Sequence, residues 1–356
     1  MRRLALAGSL VMVAVLVTAC LGEDSGGKAN SASASPKLTL RQQIGQHFVF
    51  PFGGRTPPKA LVRRIRRGEA AGVILFGRNV RSVAQVRKMT RELQAIPRPK
   101  AMQTPLLVMI DQEGGLVKRL PGAPTKGAAA MGVSAGSQGA ATAKLLRRAG
   151  VNVDLAPVVD IARPGGAMAD EGRAFGNDAA TVTKYAGAFA DSLNKGKVAS
   201  ALKHFPGFGA ADANTDDRAV RIGLSLDQMR AADLLPYESI ESPMVLTSTA
   251  IYPQVDPAPA SFSKRWITNE LRQRMGYRGV VITDDLQTPA VKGFGTPAEL
   301  AYFTISAGVD MPLFAQNYGT AAKAATGLSR AVKQGKLSRA HLDAGARRVL
   351  ELRSNL

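Results

Sequence analysis

The sequence predicts an α/β fold, a TIM-like (β/α)8 barrel in a single domain. Two observations lead there. Eight short apolar runs alternate with eight helix-like stretches from residue 38 onward, and acidic and basic side chains collect where the runs end. A doubly wound sheet fits the alternation nearly as well. The polar strand ends favour the barrel, because that rim is where barrel enzymes keep their chemistry.

The runs, in order, are HFVFPF (47–52), GVILF (72–76), LLVMID (106–111), VDLAPVVD (153–160), ASALKHF (199–205), PMVLTSTAI (243–251), GVVITDD (279–285) and DMPLFA (310–315). Each is short, apolar and bounded by turn residues, as a strand buried on both faces should be. Helices are expected over 58–69, 81–95, 137–149, 179–195, 226–234, 264–275, 297–307 and 320–334, with a last amphipathic stretch over 338–354.

Ahead of the barrel, MRRLALAGSLVMVAVLVTAC sets two Arg before an apolar run that ends in small residues. This is the pattern of a signal peptide over 1–19, too short and wrongly flanked for a transmembrane anchor. Val17-Thr18-Ala19-Cys20 resembles a bacterial lipobox, in which Cys20 is lipidated and becomes the mature N-terminus. The competing reading is an ordinary secretory peptide with an incidental Cys. Residues 20–37 then form the lipidated end and a Gly/Ser/Ala-rich tether, and 38–356 the barrel. The expected location is the outer face of the cytoplasmic membrane, held by lipid. Cys20 is the only cysteine, so disulfides and cysteine metal sites are excluded.

A hydrophobic content of 45% allows a sizeable core in a chain of 356 residues. The net charge is +20, and +18 without Arg2 and Arg3, spread along the chain with short clusters such as RRIRR (63–67). Aromatic residues are only 5%, and no nucleic-acid-binding motif is present, so an anionic membrane or cell wall is the better match than nucleic acid. Only three His occur, far apart, without metal-ligand spacing, and no phosphate-binding glycine loop is found. No metal or organic cofactor is expected, and a monomer is the expected state.

The strand ends carry the candidate chemistry. DQEGG (111–115) places Asp111 before two glycines, with Arg119 eight residues on. EGRAFGND (171–178) holds Arg173, KHF (203–205) sets Lys203 beside His204, and ITDDL (282–286) ends in Asp284 and Asp285. Carboxylates, guanidinium, ammonium and imidazole on one rim suit a polyhydroxylated ligand, whose hydroxyls need donors and acceptors. Glu113 and Glu171 are expected to orient backbone or Arg side chains, and Asp285 to be structural. Asp160 is left between a structural ion pair and ligand contact. His47, in the first apolar run, is expected to be a satisfied core residue, and His341 a packing or surface residue.

DQEGG with Arg119, LAPVVD, GRAFG, KHFPG, TDDL and AGVDM fall in the order found in family 3 glycoside hydrolases, and most of 38–356 resembles their single-domain bacterial β-N-acetylhexosaminidases. The resemblance implies a retaining mechanism on β-linked sugars. It implies Asp284 as nucleophile, and Asp111, Arg119, Arg173, Lys203 and His204 as the residues that bind the sugar in the −1 subsite. Peptidoglycan fragments are the natural substrate for a lipoprotein of this kind.

The next loop departs from the family. The family pattern is KHFPGHG, four variable residues, then Asp-Ser-His; here Phe208 replaces the first His, and Asn214 and Asp216 replace the Asp-His dyad that serves as general acid/base. Asp216 is the candidate substitute, provided that burial, or repulsion from Asp212 and Asp217, raises its pKa. Leu116 also stands where the family has Arg. Two polar-to-apolar changes on one rim, Leu116 and Phe208, are expected to weaken the site. Three readings follow: a β-hexosaminidase using Asp216, a catalytically impaired sugar-binding lipoprotein, or a barrel with altered chemistry or a different sugar.

Overall fold

The computed structural model describes residues 38–356; Cys20, the signal peptide and the tether lie outside the described residues. Eight parallel strands follow one another in chain order. They are β1 (Val49–Phe50), β2 (Gly72–Leu75), β3 (Leu107–Ile110), β4 (Val153–Asp154), β5 (Ala199–Phe205), β6 (Met244–Thr247), β7 (Val280–Asp285) and β8 (Met311–Leu313). Each is hydrogen-bonded to the next, from Val49 opposite Gly72 to Ile282 opposite Met311. Helices pack outside, and the sheet is a nearly closed barrel, as the sequence predicts.

Alternation along the strands separates two cores. Val49, Ile74, Leu107, Met109, Val153, Ala201, Leu246, Ile282 and Met311 fill the barrel interior. Their neighbours Phe50, Val73, Val108, Ile110, Leu202, Val245 and Val281 face the helices. This is the period of two expected of strands whose two faces are both buried. Both cores are built among the described residues of 38–356, a segment with a hydrophobic core of its own.

Several predicted boundaries shift. The fourth strand stops at Asp154 instead of Asp160, because Pro157 cannot donate to a ladder; only Val158 regains a bridge, to Lys203. The sixth stops at Thr247, and Ile251–Tyr252 pairs instead with Asp256–Pro259 in a separate hairpin. A second hairpin, Gln112–Gly114 with Val117–Lys118, follows β3. Helix Leu40–Gly45 was not predicted; Thr39 and Gln42 close it with a capping box.

The foot of the barrel, at the N-terminal ends of the strands, is tied by a buried charge. Asp310 accepts from Arg272 Nη2 and Arg348 Nη2 (both 2.6 Å) and from the Val281 amide (2.8 Å). Its carbonyl lies 2.6 Å from Nδ1 of His47, whose Nε2 lies 3.0 Å from the Leu342 carbonyl. His47 is a satisfied core residue; burial holds its pKa down. Asp310 therefore joins β1, β7, the helical segment Arg265–Arg274 and the last helix, Arg339–Ser354. Asp310→Ala leaves two cations without their counter-ion. It is expected to lower unfolding stability by about 3 kcal/mol, read as an earlier midpoint in urea.

Candidate active site

At the C-terminal ends of the strands one cavity of about 210 Å³ is lined by Asp111, Arg119, Arg173, Lys203, His204, Asp216 and Asp284. All seven rim residues singled out in the sequence thus meet in one place. A larger cavity, about 530 Å³, lies at the opposite end among Val198, Pro243, Val280 and Leu352, and holds none of them.

The cavity floor is a buried charge network. Lys203, near the end of β5, donates to Glu113 (2.6 Å) and to Asp111 (3.0 Å). Arg173 reaches both oxygens of Glu113 through Nε and Nη2 (2.9 Å each) and gives Nη1 to Glu171 (2.9 Å). Burial alone would favour the neutral carboxyl of Glu113, but Lys203 and Arg173 overcome it and bring its pKa to about 2. Burial likewise opposes the charge on Lys203, and Glu113 and Asp111 outweigh it. Glu113 and Glu171 orient cations, as expected.

The hairpin that carries Glu113 is shaped by Gln112 and Gly114. Buried Gln112 accepts the amides of Arg119 and Leu120 and donates to the carbonyls of Leu120 and Ala123. Gly114 has a φ of 98°, and a Cβ there would meet the Lys126 carbonyl at 2.1 Å, so only glycine fits. Arg119 lies 3.7 Å from Asp111, and its buried Nε has no partner among the described residues. An unused guanidinium donor beside the cavity is what an oxygen-rich ligand requires.

Asp160 holds the start of the next loop. Its Oδ2 lies 2.7 Å from His204 Nδ1, and its Oδ1 accepts the amides of His204 (3.2 Å) and Phe208 (2.7 Å). His204 Nε2 has no hydrogen-bond partner among the described residues, and the ring lines the cavity. Asp160 therefore acts as a structural partner, which resolves the alternative left open by its sequence position.

Phe208 and Leu116 require a correction. Phe208 is 3% exposed and packs in the outer core with its ring 5.6 Å from that of His204. Leu116 is 74% exposed on its hairpin. Neither lines the cavity, so the expected weakening by two apolar rim residues does not arise from contact with it.

Asp216 sits on the loop after β5 and its residue surface is open to solvent, yet its carboxyl faces the cavity. Nearby protein atoms remove enough water to raise its pKa, and the Asp284 carboxylate adds to the effect, against His204 and Arg173. Burial was one of the two causes anticipated. Repulsion from Asp212 and Asp217 is not the other: Asp212 pairs with Arg218 at 2.9 Å. Asn214 takes the Asp216 amide on its side-chain oxygen (3.1 Å), an Asx turn that sets the loop's direction.

Asp284 ends β7 and accepts the Asp285 amide (2.9 Å). It does not cap the following helix, Pro297–Ala307, whose cap is Thr296. Asp285 accepts the amides of Gln287 (3.0 Å) and Ala315 (2.8 Å), which ties the ends of β7 and β8; burial lifts its pKa to about 6. Asp154 was not anticipated. It is fully buried below Asp111, accepts the Gln112 amide (2.9 Å), and is raised by burial to about 8. It stands second in the apolar run 153–160, and nothing in its spacing marks it.

Glu113 has a folded pKa below its unfolded value. In that case the unfolded chain binds more protons, and stability present above about pH 4.5 is lost as pH falls toward 2. Glu113→Gln is expected to flatten this acid limb in urea unfolding measured across pH. It is also expected to lower neutral-pH stability by about 3 kcal/mol, because Lys203 and Arg173 lose their shared carboxylate.

The sequence pattern of the glycosyl hydrolase family 3 N-terminal domain matches residues 39–352. An uncharacterized secreted glycosyl hydrolase of Arthroderma benhamiae is 37% identical over 92% of this chain and 97% of its own length. The β-N-acetylhexosaminidase of Beutenbergia cavernae superposes with a TM-score of 0.82 at 30% identity, covering 89% of this chain and 99% of that one. A β-N-acetylglucosaminidase of the same family from Paenibacillus sp. str. FPU-7 gives 0.84 at 30% identity over 90% of this chain, which spans only 63% of that longer protein. With the barrel and the cavity at its strand ends, these likenesses establish that the chain belongs to glycoside hydrolase family 3.

Proposed function

We propose that the chain hydrolyses β-linked N-acetylglucosaminides of cell-wall fragments with retention, with Asp284 as nucleophile and Asp216 as acid/base. The observation that carries the reading is that both carboxyls line one cavity, where burial and the neighbouring Asp284 carboxylate raise the pKa of Asp216. A carboxyl raised in this way can serve as the acid beside a second carboxyl that attacks. The names of the Beutenbergia and Paenibacillus relatives support the choice of sugar.

In the first step Asp284 attacks the anomeric carbon as the glycosidic C–O bond breaks, and protonated Asp216 gives its proton to the departing oxygen. A glycosyl ester on Asp284 results. In the second step Asp216, now ionised, takes a proton from water as that water attacks the anomeric carbon. Asp284 leaves, and both carboxyls return to their starting states. Arg119, Asp111, Lys203 and His204 hold the ring hydroxyls, with Arg173 fixing the floor. The same reading places the mature chain on the outer face of the cytoplasmic membrane through Cys20, acting as a monomer.

One observation favours the alternative, a sugar-binding lipoprotein without turnover. The Asp216 carboxyl has no hydrogen-bond partner among the described residues, whereas His204 is fixed by Asp160. An acid without an orienting group is a weaker catalyst.

Leaving-group dependence separates the two. Asp216→Asn is expected to lower kcat/KM for natural or poorly activated glycosides by about 10²–10⁴-fold, and to spare the glycosylation of Asp284 by activated aryl glycosides. The wild-type rate on poor leaving groups should fall on the alkaline side as Asp216 ionises. Mass spectrometry of chain treated with an activated 2-fluoro sugar should locate the adduct on Asp284. Sugar binding without an adduct, and without turnover of any glycoside, refutes the enzymatic reading and favours the alternative.

A further inference from the structure

A second feature lies at the foot of the barrel, the end opposite the sugar cavity. Helix Lys59–Arg66 follows β1 and helix Tyr318–Lys333 follows β8, so both run from the rim and finish at the foot. Their last turns and the first turn of Leu40–Gly45 enclose a groove of about 470 Å³. Its walls carry Arg41, Arg64, Arg67, Arg330 and Lys333 against a single carboxylate, Glu69. Arg41, Arg67, Arg330 and Lys333 are exposed, and none of the five cations forms an ion pair among the described residues.

Helix dipoles explain only part of this cluster. Cations at helix C-termini are favourable, which covers Arg64 and Lys333. Arg41 stands in the first turn of its helix, where a cation is unfavourable, and it faces the same groove. The groove also continues into a neighbouring recess lined by Thr39 and Leu40, where the chain enters the barrel.

We propose that this groove seats the foot of the barrel on an anionic phospholipid surface, and so points the cavity mouth away from the bilayer. Phosphate headgroups supply the missing counter-charges, and each Lys or Arg near such a surface adds to binding within a Debye length. The inference does not depend on the glycosidase reading or on lipidation of Cys20, since it concerns charges within 38–356.

Residues 38–356 should sediment with vesicles of phosphatidylcholine mixed with phosphatidylglycerol, release at high salt, and ignore vesicles of phosphatidylcholine alone. Each charge removed from the groove should lower partition about fivefold. The triple variant R41E/R67E/K333E should therefore lose binding with an unchanged thermal midpoint. Lys264 and Lys292 are exposed in loops that follow β6 and β7 at the other end, and K264E/K292E should bind as the parent does. Equal losses in both variants would mean diffuse charge and overturn the proposal. So would loss in the rim variant alone, retention in the groove variant, no preference for anionic vesicles, or binding of soluble polyphosphate in place of vesicles.

Discussion

The contact between Lys203 and Glu113 governs how the rest of the rim is arranged. A buried ammonium or a buried carboxylate is strongly unfavourable alone, so neither side chain is stable there without the other. Satisfying both draws Arg173 and Asp111 into the same network and thereby fixes the loops after β3 and β4 against β5. Gln112 and Gly114 then serve a single end: they bend the hairpin so that Glu113 reaches inward while Asp111 and Arg119 stay at the surface of the cavity. Beside this network the buried Nε of Arg119 has no hydrogen-bond partner among the described residues.

The barrel was legible because its strands are buried on both faces, and such strands leave short apolar runs that few other structures produce. What the runs could not show is where a ladder ends. Pro157 cuts the fourth strand, and the chain beyond Thr247 leaves the barrel for a hairpin, although both segments continue apolar. Asp111, Lys203, His204 and Asp284 were legible at run ends, Arg119 and Arg173 in the loops that follow, and Asp216 from the family pattern that its loop departs from; all seven line one cavity. Gln112 and Asp154 were not legible, because one amide and one acid inside apolar surroundings carry no spacing signal. Their importance lies in hydrogen bonds to backbone that only the folded loop creates. For the Asp216 shift, burial was anticipated and is the largest cause; the like-charged partners were not, because Asp284 and Asp111 lie far along the chain while the expected Asp212 and Asp217 are its sequence neighbours.

The departures in the loop after β5 act together. With Phe at 208, the position turns into the outer core, and Asp160 uses its oxygens on the His204 ring and two amides. The His204 imidazole at the cavity is thus held without help from a second histidine. At the far end of the loop Asn214 accepts an amide from Asp216 where the family has a carboxylate able to orient an imidazole. That exchange suits a shorter acid. An aspartate needs no partner to fix a tautomer, and burial together with the Asp284 carboxylate raises its pKa.

The two ends of the barrel are built on opposite electrostatics. At the rim, Asp111, Glu113, Glu171, Asp216, Asp284 and Asp285 outnumber Arg119, Arg173 and Lys203 around the cavity. At the foot, five cations face one glutamate. A uniformly basic protein would bring any anionic surface to its cavity as readily as to its other faces. On the proposal above, the cations at the foot turn that end toward such a surface before any contact forms. The net positive charge that composition alone assigns to the whole chain is therefore an incomplete description: cations gather at the foot groove, while carboxyl groups predominate around the cavity at the strand ends.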